Sequence, residues 1–135
     1  MTLAGHLRVW IEDRPPLLEL RLAGELDLGT APQLKQAVDA YARTGQTIVI
    51  DLREVGFVDS MGLAALVRVR HRARSRGAAL QLVAPPESAW TAFTLSGLDR
   101  VFEWVEGDDV SSPLEAPPPA RAAPPAGAGP PPAAP

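Results

Sequence analysis

Thr47-Ile48-Val49-Ile50-Asp51-Leu52, then Asp59-Ser60-Met61-Gly62-Leu63, then the helix-like run from Ala64 to Ser75: this stretch decides how the chain folds. The first six residues are nearly all apolar, as in a central strand covered on both faces. The run that follows has the length and punctuation of a helix. Ser60 therefore sits where a strand hands over to a helix, with an acid before it and a glycine two residues after it. A helix start presents unpaired backbone N–H groups and the positive end of the dipole, both of which favour an anion. A serine there is well placed to carry a phosphate. The same residues also have a purely structural use, since Asp and Ser cap helices and Gly permits a tight entry.

Working outward towards the N-terminus, Leu7, Val9 and Ile11 alternate with Arg8, Trp10 and Glu12, which predicts a strand with one wetter face. Arg14-Pro15-Pro16 breaks it. Leu18, Leu20 and Leu22 then alternate with Glu19 and Arg21, and the short connection implies an antiparallel hairpin. Thr30 is a candidate N-cap, with Pro32 in the first turn, where its missing N–H costs little. Leu34, Ala37, Val38 and Tyr41 mark one helical face, and Gly45 is expected to stop that helix.

Towards the C-terminus, Leu63, Leu66, Val67 and Ala73 are expected inward on the second helix, which Gly77 ends. Leu80-Gln81-Leu82-Val83 is the next strand. Pro86 opens a third helix, with Ala89, Trp90 and Phe93 available to pack, and Gly97 closes it. Val101 to Val105 is expected to form an edge strand. The order β-β-α-β-α-β-α-β predicts an α/β fold: a mixed sheet of four to five strands, an N-terminal antiparallel hairpin, and three to four helices in right-handed crossovers.

Composition bounds what the 135 residues can do. From Ser111 to Pro135, eighteen of twenty-five residues are Pro or Ala, too few core-forming side chains to offset the entropy of ordering. Residues 1–107 are thus expected to form one domain, and residues 108–135 a disordered Pro/Ala-rich tail. The net charge of −3 gives no electrostatic reason to expect nucleic-acid binding. Arg68, Arg70, Arg72, Arg74 and Arg76 crowd one helix end, but at every second position they spread around it, as solvated cations complementing the dipole would. With no cysteine there is neither disulfide nor thiolate chemistry. No apolar run resembles a signal peptide or spans a bilayer, so a cytoplasmic protein without membrane insertion is expected.

An enzyme is not expected. His6 and His71 are the only histidines, neither in a nucleophile-elbow context. There is no metal-ligand spacing and no phosphate-binding loop, so neither metal nor cofactor is expected. Asp27 and Asp59 both follow predicted strands. The C-terminal ends of such strands gather at one rim of an open α/β sheet, where functional sites lie.

Two motifs resemble one family. Gly24-Glu25-Leu26-Asp27 is similar to the G-E-L-D turn of STAS domains, the sulfate transporter and anti-sigma factor antagonist fold. Phe57-Val58-Asp59-Ser60-Met61-Gly62-Leu63 resembles that family's D-S-[S/T]-G-L hallmark. With the element order, the resemblance spans roughly residues 6 to 106. Met61 departs from the usual Ser or Thr and removes a second hydroxyl acceptor. The resemblance to the anti-sigma factor antagonist branch implies partner switching. The unphosphorylated form would bind an anti-sigma factor that has serine-kinase activity and so free the sigma factor. Phosphorylation of Ser60 would end that binding, and a serine phosphatase would restore it. Asp27, Asp59, Ser60, Met61 and Gly62 would form the partner-binding site. A second implied possibility is a cytoplasmic accessory subunit of a lipid-transporting ABC system, in which Ser60 is only a contact or has no role. A small-ligand sensor using the same rim is a third.

Overall fold

The computed structural model describes residues 6–107. The expected tail, 108–135, lies outside them. Five strands form one sheet in the order β1-β2-β3-β4-β5: β1 Leu7–Arg14, β2 Leu17–Leu26, β3 Thr47–Val58, β4 Ala79–Val83 and β5 Glu103–Val105. β1 and β2 are the antiparallel hairpin, turning at Pro15-Pro16, and every later neighbour is parallel. The crossovers carry helices α1 Ala31–Tyr41, α2 Ser60–Ser75 and α3 Glu87–Ser96, and a short 3-10 turn, Leu98–Arg100, leads into β5.

Period-two alternation sends Leu18, Leu20 and Leu22 of β2 to one face, beside Ile48, Ile50 and Leu52 of β3 and Leu80 and Leu82 of β4. There they meet Leu34 and Val38 of α1, Leu63, Leu66, Val69 and Ala73 of α2, and Ala89 and Phe93 of α3 in a single buried cluster. Trp90, Phe93, Phe102 and Trp104 close its far end, with Trp90 and Trp104 edge to face at 4.8 Å between ring centres.

Several boundaries differ from the sequence reading. Trp10, expected on the wetter face of β1, is buried. Gly45 is not the stop of α1. The helix ends at Tyr41, and Gly45, with φ +82°, instead turns the chain into β3. On α2 Ala65 and Val69 are buried, whereas Val67 is only half-buried against the core. β5 starts two residues later than expected because the chain first makes the 3-10 turn.

The arginine-rich end of α2 does more than complement a dipole. Arg72 Nε donates to Asp39 Oδ1 of α1 at 2.8 Å, Arg76 stands 3.8 Å from the same oxygen, and Lys35 holds Oδ2 at 2.8 Å. Burial alone would raise the Asp39 carboxyl, but the hydrogen bonds and charges of Lys35 and Arg72 outweigh it and hold the pKa below its ordinary value. The folded state thus prefers the carboxylate. Its stabilisation is complete above the ordinary carboxylate pKa of about 4 and is lost as pH falls through the lower folded value. Asp39→Asn is therefore expected to cost about 1 kcal/mol at neutral pH, read from urea melts, and the gap to the parent should close in acid. A gap that persists at pH 2 would mean that the clamp is not ionic.

Candidate functional site

The two motifs meet because β2 and β3 run parallel with Leu26 opposite Val58. Asp27 and Asp59 each follow directly, so the two acids leave adjacent strands at one height, about one strand spacing (~4.8 Å) apart. The ladder continues past the strand ends, since the Asp59 N–H donates to the Leu26 carbonyl at 3.2 Å.

Each acid then organises the start of a helix. Asp59 is the N-cap of α2. Its backbone is extended, and its Oδ1 accepts from the Gly62 N–H at 2.9 Å. Asp27 accepts from the Thr30 N–H at 3.0 Å, and its own N–H donates to Thr30 Oγ1 at 3.0 Å. The Thr30 hydroxyl reaches back to the Glu25 carbonyl at 2.8 Å. Thr30 does occupy the N-cap position of α1, but its side chain makes no capping hydrogen bond there. It is spent on fastening the Gly24–Thr30 loop.

Two glycines make the approach possible. A side chain on Gly62 would collide with the Leu26 carbonyl, so the first turn of α2 rests directly on the end of β2. Gly24, with φ +120°, faces the His6 carbonyl at a range that no side chain fits, and the next residue, Glu25, donates its N–H to that oxygen at 2.7 Å. The G-E-L-D turn is thereby stitched to the start of β1.

Ser60 is the first residue of α2 and is exposed. It stands between a capping carboxylate and the helix N-terminus, with Asp27 on the neighbouring strand end. Phosphate here would gain from the dipole and lose to two carboxylates. The structure thus brings Asp27, Asp59, Ser60 and Gly62 to one rim, with Met61 beside them.

The rim is also apolar, which the sequence reading largely missed. Leu28 is 65% exposed, Phe57 49% and Met61 40%. All three lie at the ends of β2 and β3 or in the segments leaving them. Phe57 entered the reading only as a motif letter, and Leu28 not at all. The available signal was an apolar residue, Leu28, in a turn between Asp27 and Gly29 with no periodic partner. Exposed apolar side chains ringed by acids are the composition of a protein-docking surface. Among the described residues no cluster of three His, Asp or Glu is placed to hold a metal ion, and no helix is long and apolar enough to cross a membrane.

Known proteins resemble this chain over most of its described residues. A family model described as "Mlab, STAS domain" matches residues 14–106. The anti-sigma-B factor antagonist of Listeria monocytogenes is 34% identical over 94 residues, which cover 67% of this chain and 82% of that protein. That of Bacillus subtilis is 28% identical over 98 residues, 73% and 90% of the two chains. Among solved structures, an anti-sigma factor antagonist from Mycobacterium paratuberculosis superposes with a TM-score of 0.67 at 29% identity, covering 77% of this chain and 90% of that one.

Proposed function

Because the chain belongs to the STAS domain family, we propose that it is an anti-sigma factor antagonist working by partner switching in the cytoplasm. Unphosphorylated, it docks on an anti-sigma factor with serine-kinase activity and frees the sigma factor. Phosphate transferred from ATP to Ser60 ends the docking, and a serine phosphatase restores it. The chain is then a substrate and a binding module, with no catalysis of its own. The observation that carries this reading is the placement of Ser60, exposed at the first position of α2 and set between Asp59 and the strand end that bears Asp27. The names of the antagonists to which the chain is similar support it.

The surrounding residues receive roles by position. Leu28, Phe57 and Met61 supply apolar docking area. Gly62 lets α2 approach β2. Asp27 and Asp59 fix the two loops and set the negative field that a phosphate at Ser60 would meet. Their main effect is thus on docking and phosphorylation. Asp27→Asn and Asp59→Asn should each shift partner affinity or phosphorylation rate by roughly tenfold, as expected for charges at an interface, with at most about 1 kcal/mol lost from the fold. Calorimetry and a kinase assay on each variant check this. Parent-like behaviour in both assays would leave the two acids as ordinary loop residues.

A further inference from the structure

Arg70, Arg72, Arg74 and Arg76, at the end of α2, divide into two stripes. With 3.6 residues per turn, positions four apart share a side of the helix and positions two apart face opposite ways. Arg72 and Arg76 turn to Asp39 of α1. Arg70 and Arg74 face the other way and line a cleft beside the starts of β4 and β5. Among the described residues their side chains have no hydrogen-bond or ion-pair partner. Two like charges four residues apart on a helix repel each other. The helix dipole favours both cations, but it gives no reason for them to share the wall of a cleft.

The cleft measures about 350 Å³, the size of a site for a small molecule. Small side chains at Ala78 and Ala79, where the chain enters β4, leave it room. Leu80 and the exposed Val101 add apolar lining, and Glu103, the first residue of β5, stands as the one acid among the lining residues. Its Oε2 accepts from Gln81 Nε2 at 3.0 Å, and no ion pair joins it to Arg70 or Arg74. Register fixes the place: Ala79 pairs with Thr47 at the start of β3, and Gln81 with Glu103. The cleft therefore lies at the strand starts, on the rim opposite Ser60. Arg70 and Arg74 are roughly 15 and 21 Å along α2 from Ser60.

We propose that this cleft binds a small phosphomonoester with a hydroxylated carbon body. Two guanidinium forks whose Cβ atoms are about 5–6 Å apart can hold one phosphate between them, since their planar donors match its oxygens. The carbon body then lies against Leu80 and Val101, and one of its hydroxyls donates to Glu103. The facing carboxylate makes the site selective. It repels an anion that brings no donor, and it rewards one that carries charge at one end and a hydroxyl at the other. The site shares no residue with the Ser60 rim and does not depend on the role of Ser60.

Glucose 6-phosphate, titrated into the isotopically labelled full chain, should move the amide signals of Arg70, Arg74, Ala79, Leu80 and Val101 saturably and leave those of Asp27 and Ser60 in place. Inorganic phosphate, which lacks the body, should bind about tenfold more weakly, and glucose, which lacks the charge, should not bind. Arg70→Gln and Arg74→Gln should each weaken glucose 6-phosphate about tenfold, the loss of one charge-assisted hydrogen bond. Arg68→Gln, outside the cleft, should change it by less than about twofold. Vesicles of phosphatidylcholine with phosphatidylinositol 4-phosphate offer the same chemistry on a lipid. Vesicle binding that requires Arg70 and Arg74 would assign the phosphomonoester to a headgroup, and binding of the soluble probe alone would assign it to a free metabolite. Three results would overturn the proposal: no saturable shift with glucose 6-phosphate together with no arginine-dependent vesicle binding, equal affinity for inorganic phosphate and glucose 6-phosphate, or parent-like affinity in both arginine variants.

Discussion

Phosphorylation of Ser60 is expected to weaken binding to the cognate anti-sigma factor by on the order of a hundredfold, close to 3 kcal/mol. Two effects oppose each other at this position. In the free protein the N-terminus of α2 favours the added charge of about −2 by roughly 1 kcal/mol. In the complex, water leaves the rim and the phosphate faces Asp59 and Asp27. At an effective dielectric near 20, a single like-charge contact at about 4 Å costs about 4 kcal/mol. Desolvation of the dianion adds to that cost. Repulsion therefore wins by a few kcal/mol. Ser60→Asp should lose less, about tenfold, because one carboxylate carries half the charge and lacks the tetrahedral oxygens. Ser60→Ala should bind like the unphosphorylated parent and remain bound in the presence of ATP. Titration calorimetry on the four forms measures all of this, and equal affinities would remove the basis for a switch at Ser60 and favour the transporter-subunit reading.

Gly62→Ala is expected to destabilise the protein by about 2 kcal/mol and to impair docking at the same time. In an unobstructed helix the change would gain about 1 kcal/mol from propensity. Here the new methyl meets the Leu26 carbonyl, which is fixed in the ladder by the Asp59 N–H. Relief requires the first turn of α2 to lift, at a cost typical of overpacking, about 1–3 kcal/mol. Lifting also strains the 2.9 Å cap between Asp59 and Gly62, worth about 1 kcal/mol. Gly56→Ala is the control, since a methyl there meets nothing within 4 Å; it should change stability by less than about 0.5 kcal/mol. Urea midpoints for the two variants decide the matter. If they are equal, the seat of α2 on β2 is soft, and Ser60 is not held where a switch needs it.

The sheet and its crossovers were legible because local pattern and global fold agree there. The apolar run Thr47–Leu52 and the alternation in Leu18, Leu20 and Leu22 have one sensible placement each. The Asp59 cap was legible for the same reason, as it needs only three residues. What the sequence hid was non-local. Trp10 alternates with apolar residues and so belongs, by period, to the wet face, yet it is buried there. Gly45 carries the mark of a helix stop, but α1 had already ended at Tyr41, because the Arg43–Gln46 turn was needed to enter β3. Asp39 is an unremarkable helix acid until Arg72, thirty-three residues on, reaches it. The exposed Leu28 and Phe57 come to one rim only when the ends of β2 and β3 are brought together.

The central claim is that Ser60 is the phosphate acceptor of a partner switch. Its most direct test is to incubate the full chain with its cognate anti-sigma factor and ATP and to map any phosphate by peptide mass spectrometry. The expected result is one phosphate per chain, on Ser60, with none on the Ser60→Ala variant. Phosphate on another hydroxyl, such as Thr30 or Ser88, or a stable complex that transfers none, would contradict it.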